Sequence, residues 1–209
     1  RLTDVTGVQT CALPILTNSG YGPVRQLPEA DIYHLHFITN FLDIPYLFEE
    51  LHRRKRPVVW TLHDMNPFTG GCHHDDDCGR YKQKCGYCPQ LEIGNEFDIS
   101  HKNMNIKGLA YSGIPAEKFY IATDSNWLRD CARQSSLFRG LNVETVHYGL
   151  DTDIFKPLDR KAARSVLGIE DERTVISFGA PNISNVRKGY HYLVDRKSTR
   201  LNSSHVSQS

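Results

Sequence analysis

The sequence predicts an α/β fold built on a parallel sheet, and three observations carry that expectation. Short apolar runs rich in β-branched and aromatic residues recur at 30–38, 58–62, 119–122, 143–146 and 174–178. Segments with helical spacing separate them, at 46–54, 125–135 and 161–167. Strands alternating with helices are the pattern of crossover connections, which lay helices on the faces of a parallel sheet. Finally, a polar pair, His63-Asp64, directly follows the most apolar run. Open α/β sheets bind ligands just beyond the carboxyl ends of their strands.

Each element has a local reason. Residues 16–28 read as loop, with Gly20, Gly22, Pro23 and Pro28. Residues 30–38 alternate enough for a strand. Pro45 suits the first turn of a helix over 46–54, with Leu47, Phe48 and Leu51 on one face. The run His52-Arg53-Arg54-Lys55-Arg56 suits the negative end of that helix's dipole; it reads as a solvated helix end before it reads as a dock for anionic lipid. Val58 to Leu62 is the next strand. Residues 92–113 form no clear element, with helical character near 103–111. A strand at 119–122 leads to Ser125, a capping residue for a helix through Ser135. Residues 143–146 form a fourth strand and 151–157 a crossover. A helix at 161–167 ends on Gly168, a fifth strand follows at 174–178, and another helix begins at 189–194. There is no fixed-period repeat.

The two ends are set apart from this fold. Residues 195–205, DRKSTRLNSSH, can be back-translated to a string whose reverse complement reads VTGVQTCALPI, residues 5–15. Eleven codons matching in opposite orientation have no origin in protein physics, and the string resembles a sequencing adapter. Residues 1–15 and 195–209 are therefore expected to be translated adapter plus flanking bases, which fold reasoning excludes.

Composition bounds the function. The whole chain carries 25 basic and 24 acidic residues. Setting aside Arg1, Arg196, Lys197, Arg200, Asp4 and Asp195 leaves 21 basic and 22 acidic, a formal charge of −1. A near-neutral chain is a poor fit to a dedicated nucleic-acid binder. No run of 18 apolar residues marks a membrane span. Of six cysteines, Cys11 lies in a flank, Cys131 stands alone and four cluster, which is not the density of a secreted disulfide scaffold.

Four groups of residues carry candidate chemistry. His63 and Asp64 are the expected catalytic pair. His34 and His36 share one side of a strand, since side chains alternate with period two; with His63 and Asp64 they could hold a metal, as in a metal-dependent hydrolase. Cys72, Cys78, Cys85 and Cys88 follow a C-x5-C-x6-C-x2-C spacing. Four thiolates can close a tetrahedral structural zinc site, with disulfides or buried free thiols as alternatives. A four-cysteine zinc interaction module without catalysis is a further reading. Asp75, Asp76 and Asp77 read as a solvated turn. Arg187-Lys188-Gly189 reads as the opening of a helix, a place that binds phosphate.

Together, ADIYHLHFI (30–38), RPVVWTLHDMNPFTGGC (56–72), CGRYKQKCGYCPQL (78–91), SNWLRDCARQSSLF (125–138), YGLDTDIFKP (148–157), FGA (178–180) and RKG (187–189) resemble the GT-B glycosyltransferases of the fourth sequence family, in its colanic-acid-type branch. The resemblance implies two Rossmann-like domains facing a cleft. Residues 16–150 would be the acceptor-side N-terminal domain, incomplete at its start, and 151–194 the beginning of the nucleotide-sugar domain. It further implies a hexosyltransferase of bacterial polysaccharide biosynthesis, moving a hexose with retention from a nucleotide diphosphate sugar to a glycan or lipid-linked acceptor. His63 would assist at the reaction centre, His34 and His36 would lie on the acceptor side, and Arg187 and Lys188 would hold the donor diphosphate. No catalytic cofactor is implied. The implied place is the cytoplasm, with peripheral contact at the inner face of the membrane. The sequence departs from the family pattern at Asn66, where Trp is common, and at His147-Tyr148, where Pro-Asn is common. The family's paired-glutamate motif is missing by residue 194, so this stretch by itself is expected to be inactive.

Overall fold

The structure is a computed structural model that describes Val24 and residues 27–39, 41–91, 94–170 and 172–194. Both stretches read as adapter lie outside the described residues, as does most of 16–26. The chain divides into two compact units, Arg1–Leu150 and Asp151–Ser209.

The first unit is an α/β domain with a four-stranded, all-parallel, Rossmann-like sheet. Its strands are β1 (Tyr33–Leu35), β2 (Val58–Leu62), β3 (Phe119–Thr123) and β4 (Asn142–Thr145), lying in chain order. The strand expected over 30–38 is cut to three residues. Tyr33 to Leu35 pair with Val58 to Trp60, but the next carbonyl, of His36, is taken by the Trp60 indole N–H at 2.9 Å instead of the ladder.

Three helices connect the strands. The first, α1 (Ile44–Arg54), is capped by Asp43, which accepts the Tyr46 N–H at 3.2 Å, and carries Pro45 in its first turn. It buries Leu47, Phe48 and Leu51 as its spacing requires. The basic run at its end is only partly solvated: the Arg54 side chain is buried, pairs with Glu50 at 2.7 Å and donates to Tyr33 Oη at 2.6 Å and to the Leu27 and Pro28 carbonyls. Its guanidinium ties the segment before β1 to the helix and is not free to meet lipid. The second helix, α2 (Ile99–Tyr111), starts earlier than expected, because Asp98 accepts the N–H groups of Ser100 and His101 and caps it. Its buried face, Ser100, Met104, Lys107 and Tyr111, is half polar, so hydrophobic spacing could not mark it. The third, α3 (Asn126–Gln134), begins at Ser125 as expected, with its hydroxyl accepting the Leu128 N–H.

Right-handed crossovers taken three times in the same direction put all three helices on one face of the sheet. The strands agree: Val58, Trp60 and Leu62 are buried while Val59 and Thr61 are half-buried, and Phe119, Ile121 and Thr123 are buried while Tyr120 is exposed. The expected cover on both faces is thus seen on one face among the described residues. Between sheet and helices lies an aromatic core of Phe48, Trp60, Phe68, Tyr111, Phe119 and Phe138, with ring centroids 4.7–6.3 Å apart in the contacting pairs. Truncating one such ring to alanine costs about 3–5 kcal/mol.

The second unit holds α4 (Arg160–Val166), capped by Asp159 and closed by Gly168 at φ 65°. The fifth strand expected at 174–178 does not form. Val175 and Ile176 are 52% and 63% exposed, and no described strand lies beside them to complete a ladder. A 3-10 turn at Val186–Lys188 precedes helical residues 190–194. Among the described residues no helix is long and apolar enough to cross a membrane.

Candidate active site

β1 and β2 end side by side, so the residues that leave them meet. The His34 and His36 rings are 4.3 Å apart, on the same side as their spacing dictates. His34 Nε2 lies 2.8 Å from Thr61 Oγ1. His36 Nδ1 lies 3.1 Å from His63 Nε2, and the other nitrogen of His63, Nδ1, lies 2.5 Å from the hydroxyl of Tyr148. The tertiary structure therefore brings three of the expected site residues, His34, His36 and His63, into one cluster. Burial depresses the imidazolium pKa of His34, with the His63 charge adding to it, and does the same to His36 together with His34 and His63. Both rings are consequently held neutral near pH 7.

Asp64 is turned away from its neighbour. One oxygen accepts the Asn66 N–H at 2.8 Å and the other accepts His73 Nδ1–H at 2.6 Å. It ties down the turn after β2 and orients His73, which stacks on Phe37. Asn66 is the hub of that turn. Buried, it donates from its side chain to the Gly71 carbonyl at 2.6 Å and accepts the Thr39 hydroxyl at 3.1 Å. Lys107, only 6% exposed, reaches in from α2: its ammonium donates to the Asn66 carbonyl at 2.6 Å and the Thr69 carbonyl at 3.0 Å. Burial pulls its pKa from 10.5 down to about 8. Tyr111 adds a bond to the Pro67 carbonyl at 2.8 Å. The loop behind His63 is thus held by two side chains of α2.

Beyond that turn the chain runs from Thr69 to Asp98 through two 3-10 turns and no described helix or strand. Cys72, Cys78, Cys85, Cys88 and the lone Cys131 are all free thiols. Burial pushes Cys85 up to about 11 and raises Cys72, with the charges of neighbouring cysteines adding to both. Cys85 Sγ accepts the Gly70 N–H at 3.2 Å. Among the described residues no group of three or more His, Cys, Asp or Glu side chains is placed to hold a metal ion. Asp76 and Asp77 are exposed and adopt left-handed backbone, as a turn requires, but Asp75 is buried and accepts the Gly79 N–H at 3.0 Å, which corrects the solvated reading for that residue.

Arg187 and Lys188 are exposed on the 3-10 turn, which Gly189 closes at φ 77°. The helical residues come after this break, so the two cations precede the helix and do not open it.

Sequence reasoning missed Tyr148, Lys107 and the hub role of Asn66. For one of them a usable signal existed. Tyr148 follows β4 by three residues, near the same strand-end position that singled out His63.

No protein-family profile matches the chain, and no solved structure does. Over 66 residues, 30% of the chain, it is 36% identical to the D-inositol 3-phosphate glycosyltransferases of Mycobacterium bovis (BCG Pasteur) and Mycobacterium tuberculosis (H37Rv). The match spans 13% of those relatives' length. Over that stretch the similarity supports a place among the glycosyltransferases.

Proposed function

We propose that these residues belong to a glycosyltransferase that moves a hexose from a nucleotide diphosphate sugar, with retention, onto a glycan or lipid-linked acceptor. The observation that carries the reading is His63 at the carboxyl end of β2, clustered with His34 and His36 in a chain similar in part to glycosyltransferases. In this reading His63 meets the transferred sugar, His34 and His36 line the acceptor side, Asp64 secures the turn behind them, and Arg187 with Lys188 neutralises the donor diphosphate. The work would take place in the cytoplasm, with peripheral contact at the inner face of the membrane, where activated sugars meet lipid-linked acceptors. The metal-dependent hydrolase reading asks Asp64 to join the three imidazoles, yet Asp64 is committed to Asn66 and His73.

The test is turnover by the full-length protein with a panel of nucleotide diphosphate sugars and a glycan acceptor, in EDTA. Nucleotide diphosphate release that depends on acceptor and survives EDTA supports the proposal. Hydrolysis restored only by added metal, or no turnover of any donor, overturns it.

We propose in addition that Cys72, Cys78, Cys85 and Cys88 close on a structural zinc ion. What supports this is the spacing of four free cysteines on a long irregular segment, which gains most from a cross-link. The site would use all four thiolates and leave no open position for chemistry.

A further inference from the structure

We infer that the cavity between α3 and the segment 75–82 is a carbohydrate subsite, which holds one sugar residue of a glycan against the indole of Trp127. The cavity measures about 310 Å³, at the lower end of the range of small-molecule pockets. Trp127, Asp130 and Gln134 fall at helical spacing, so α3 turns one stripe of its surface to it. Asp75, Asp77 and Lys82 line it from the long irregular segment. Trp127 is 54% exposed, although tryptophan is highly buried on average. Its ring lies against His74, with centroids 5.7 Å apart and planes 14° apart, and His74 Nδ1 accepts the Asp76 N–H at 3.1 Å. The indole is thus a supported plate that the rest of this unit does not cover.

The polar groups around this plate are unpaired. Asp75 is buried, yet only one of its oxygens is engaged, by the Gly79 N–H at 3.0 Å. Its Oδ1 accepts no hydrogen bond among the described residues and is not sealed from the cavity. The side chains of Asp77, Lys82 and Gln134 and the Trp127 indole N–H likewise make no hydrogen bond among the described residues, while Asp130 pairs with Arg129 at 2.8 Å. Carboxylates only accept, an ammonium and an indole N–H only donate, and the Gln134 amide does both. A cationic ligand would meet Lys82, and an anionic one would meet Asp75 and Asp77. A neutral polyhydroxylated ring satisfies the whole set. Each of its hydroxyls both donates and accepts, and its face of C–H bonds lies on the indole.

The subsite is separate from the histidine cluster but joined to it. His74 follows His73, whose Nδ1–H donates to Asp64 at 2.6 Å, and Asp64 follows His63. An acceptor of several sugar units would present its reacting hydroxyl at His63 and a more distant unit at Trp127. That the bound sugar belongs to the acceptor rests on the glycosyltransferase reading; the subsite itself does not.

The experiment separates the two. In nitrogen-15-labelled full-length protein the Trp127 indole N–H resonance, assigned by its loss in Trp127→Phe, is followed as short bacterial polysaccharide fragments are added. It should move saturably with at least one fragment, and Trp127→Ala should weaken the binding of that fragment about tenfold. A Trp127 resonance that no fragment moves overturns the inference, as does a fragment bound equally well by Trp127→Ala. Movement with spermidine or inorganic phosphate alone overturns it too, since the cavity would then hold an ion. The wild-type titration decides even where a variant does not fold. In turnover, Trp127→Ala should raise KM for a glycan acceptor more than it lowers kcat. Fragment binding at Trp127 by a protein that turns over no donor would sink the glycosyltransferase reading and leave the subsite standing.

Discussion

Replacing Lys107 with methionine should make the stability of the first unit lose a specific dependence on pH. The ammonium is buried under the turn that follows His63 and Asp64, bonded to the Asn66 and Thr69 carbonyls. Methionine keeps most of the volume and donates nothing. The Asn66 carbonyl retains the Thr69 N–H at 3.3 Å, so the chief loss is at Thr69, about 2 kcal/mol near pH 7. The pH term is larger. Burial lowers the Lys107 pKa from 10.5 to about 8, so between those values the unfolded chain holds a proton that the folded chain has released. Stability then rises with pH across the window. At 1.36 kcal/mol per pH unit the interval amounts to about 3 kcal/mol. The raised thiols of Cys72 and Cys85 work the other way, since the unfolded state ionises first, but they are present in both proteins and largely cancel in the difference. Urea unfolding followed by the fluorescence of buried Trp60 measures that difference. The gap between wild type and Lys107→Met should widen from about 2 kcal/mol at pH 7 to about 5 kcal/mol at pH 10.5. A gap that stays flat or narrows as pH rises would refute the argument that burial governs this lysine.

Other substitutions test other parts of the site. Asp98→Ala should cost about 2–3 kcal/mol, more than an ordinary helix cap, because Asp98 also accepts the Cys88 N–H at 2.8 Å. Burial alone would raise the Asp98 pKa, but bonds from Cys88, Ser100 and His101 outweigh it and lower the value. Its contribution should therefore be full above the ordinary carboxylate range and fade as pH falls through the depressed value, which acid titration against Asp98→Asn would read. Gly86 sits at φ 137°, and a Cβ there would meet the Glu96 carbonyl oxygen at 2.2 Å; Gly86→Ala should lower stability by about 2 kcal/mol or more in thermal unfolding. Thr145 Oγ1 is buried without a hydrogen-bond partner among the described residues, so Thr145→Val should be neutral or stabilising by up to about 1 kcal/mol by the same measurement. Reduced, purified protein should carry one zinc per chain by elemental analysis; no zinc, with all four thiols titrating freely, would remove the zinc proposal.

Much of the architecture was legible because its signals are local. The uncharged run Val58 to Leu62, the cap at Ser125, Pro45 in the first turn of α1 and the single apolar stripe of that helix each act within a few residues, where chain geometry alone decides. The same logic put His34 and His36 on one side of a strand and His63 at a strand end. It failed where burial is polar. The inner face of α2 carries Ser100 and Lys107, whose partners come from segments distant in sequence, so periodicity had nothing to read. It failed again at 174–178, where apolar β-branched residues favour a strand but a strand exists only beside another. The centre of the candidate site is of this second kind. His63 and Tyr148 are 85 residues apart and touch only because β2, β3 and β4 align in parallel register and release their following residues on the same edge. The amino-acid order alone determined which residue types could do chemistry and where strands would deliver them. Which hydrogen bonds those residues share was decided by strand register, a long-range property that no short stretch of sequence contains.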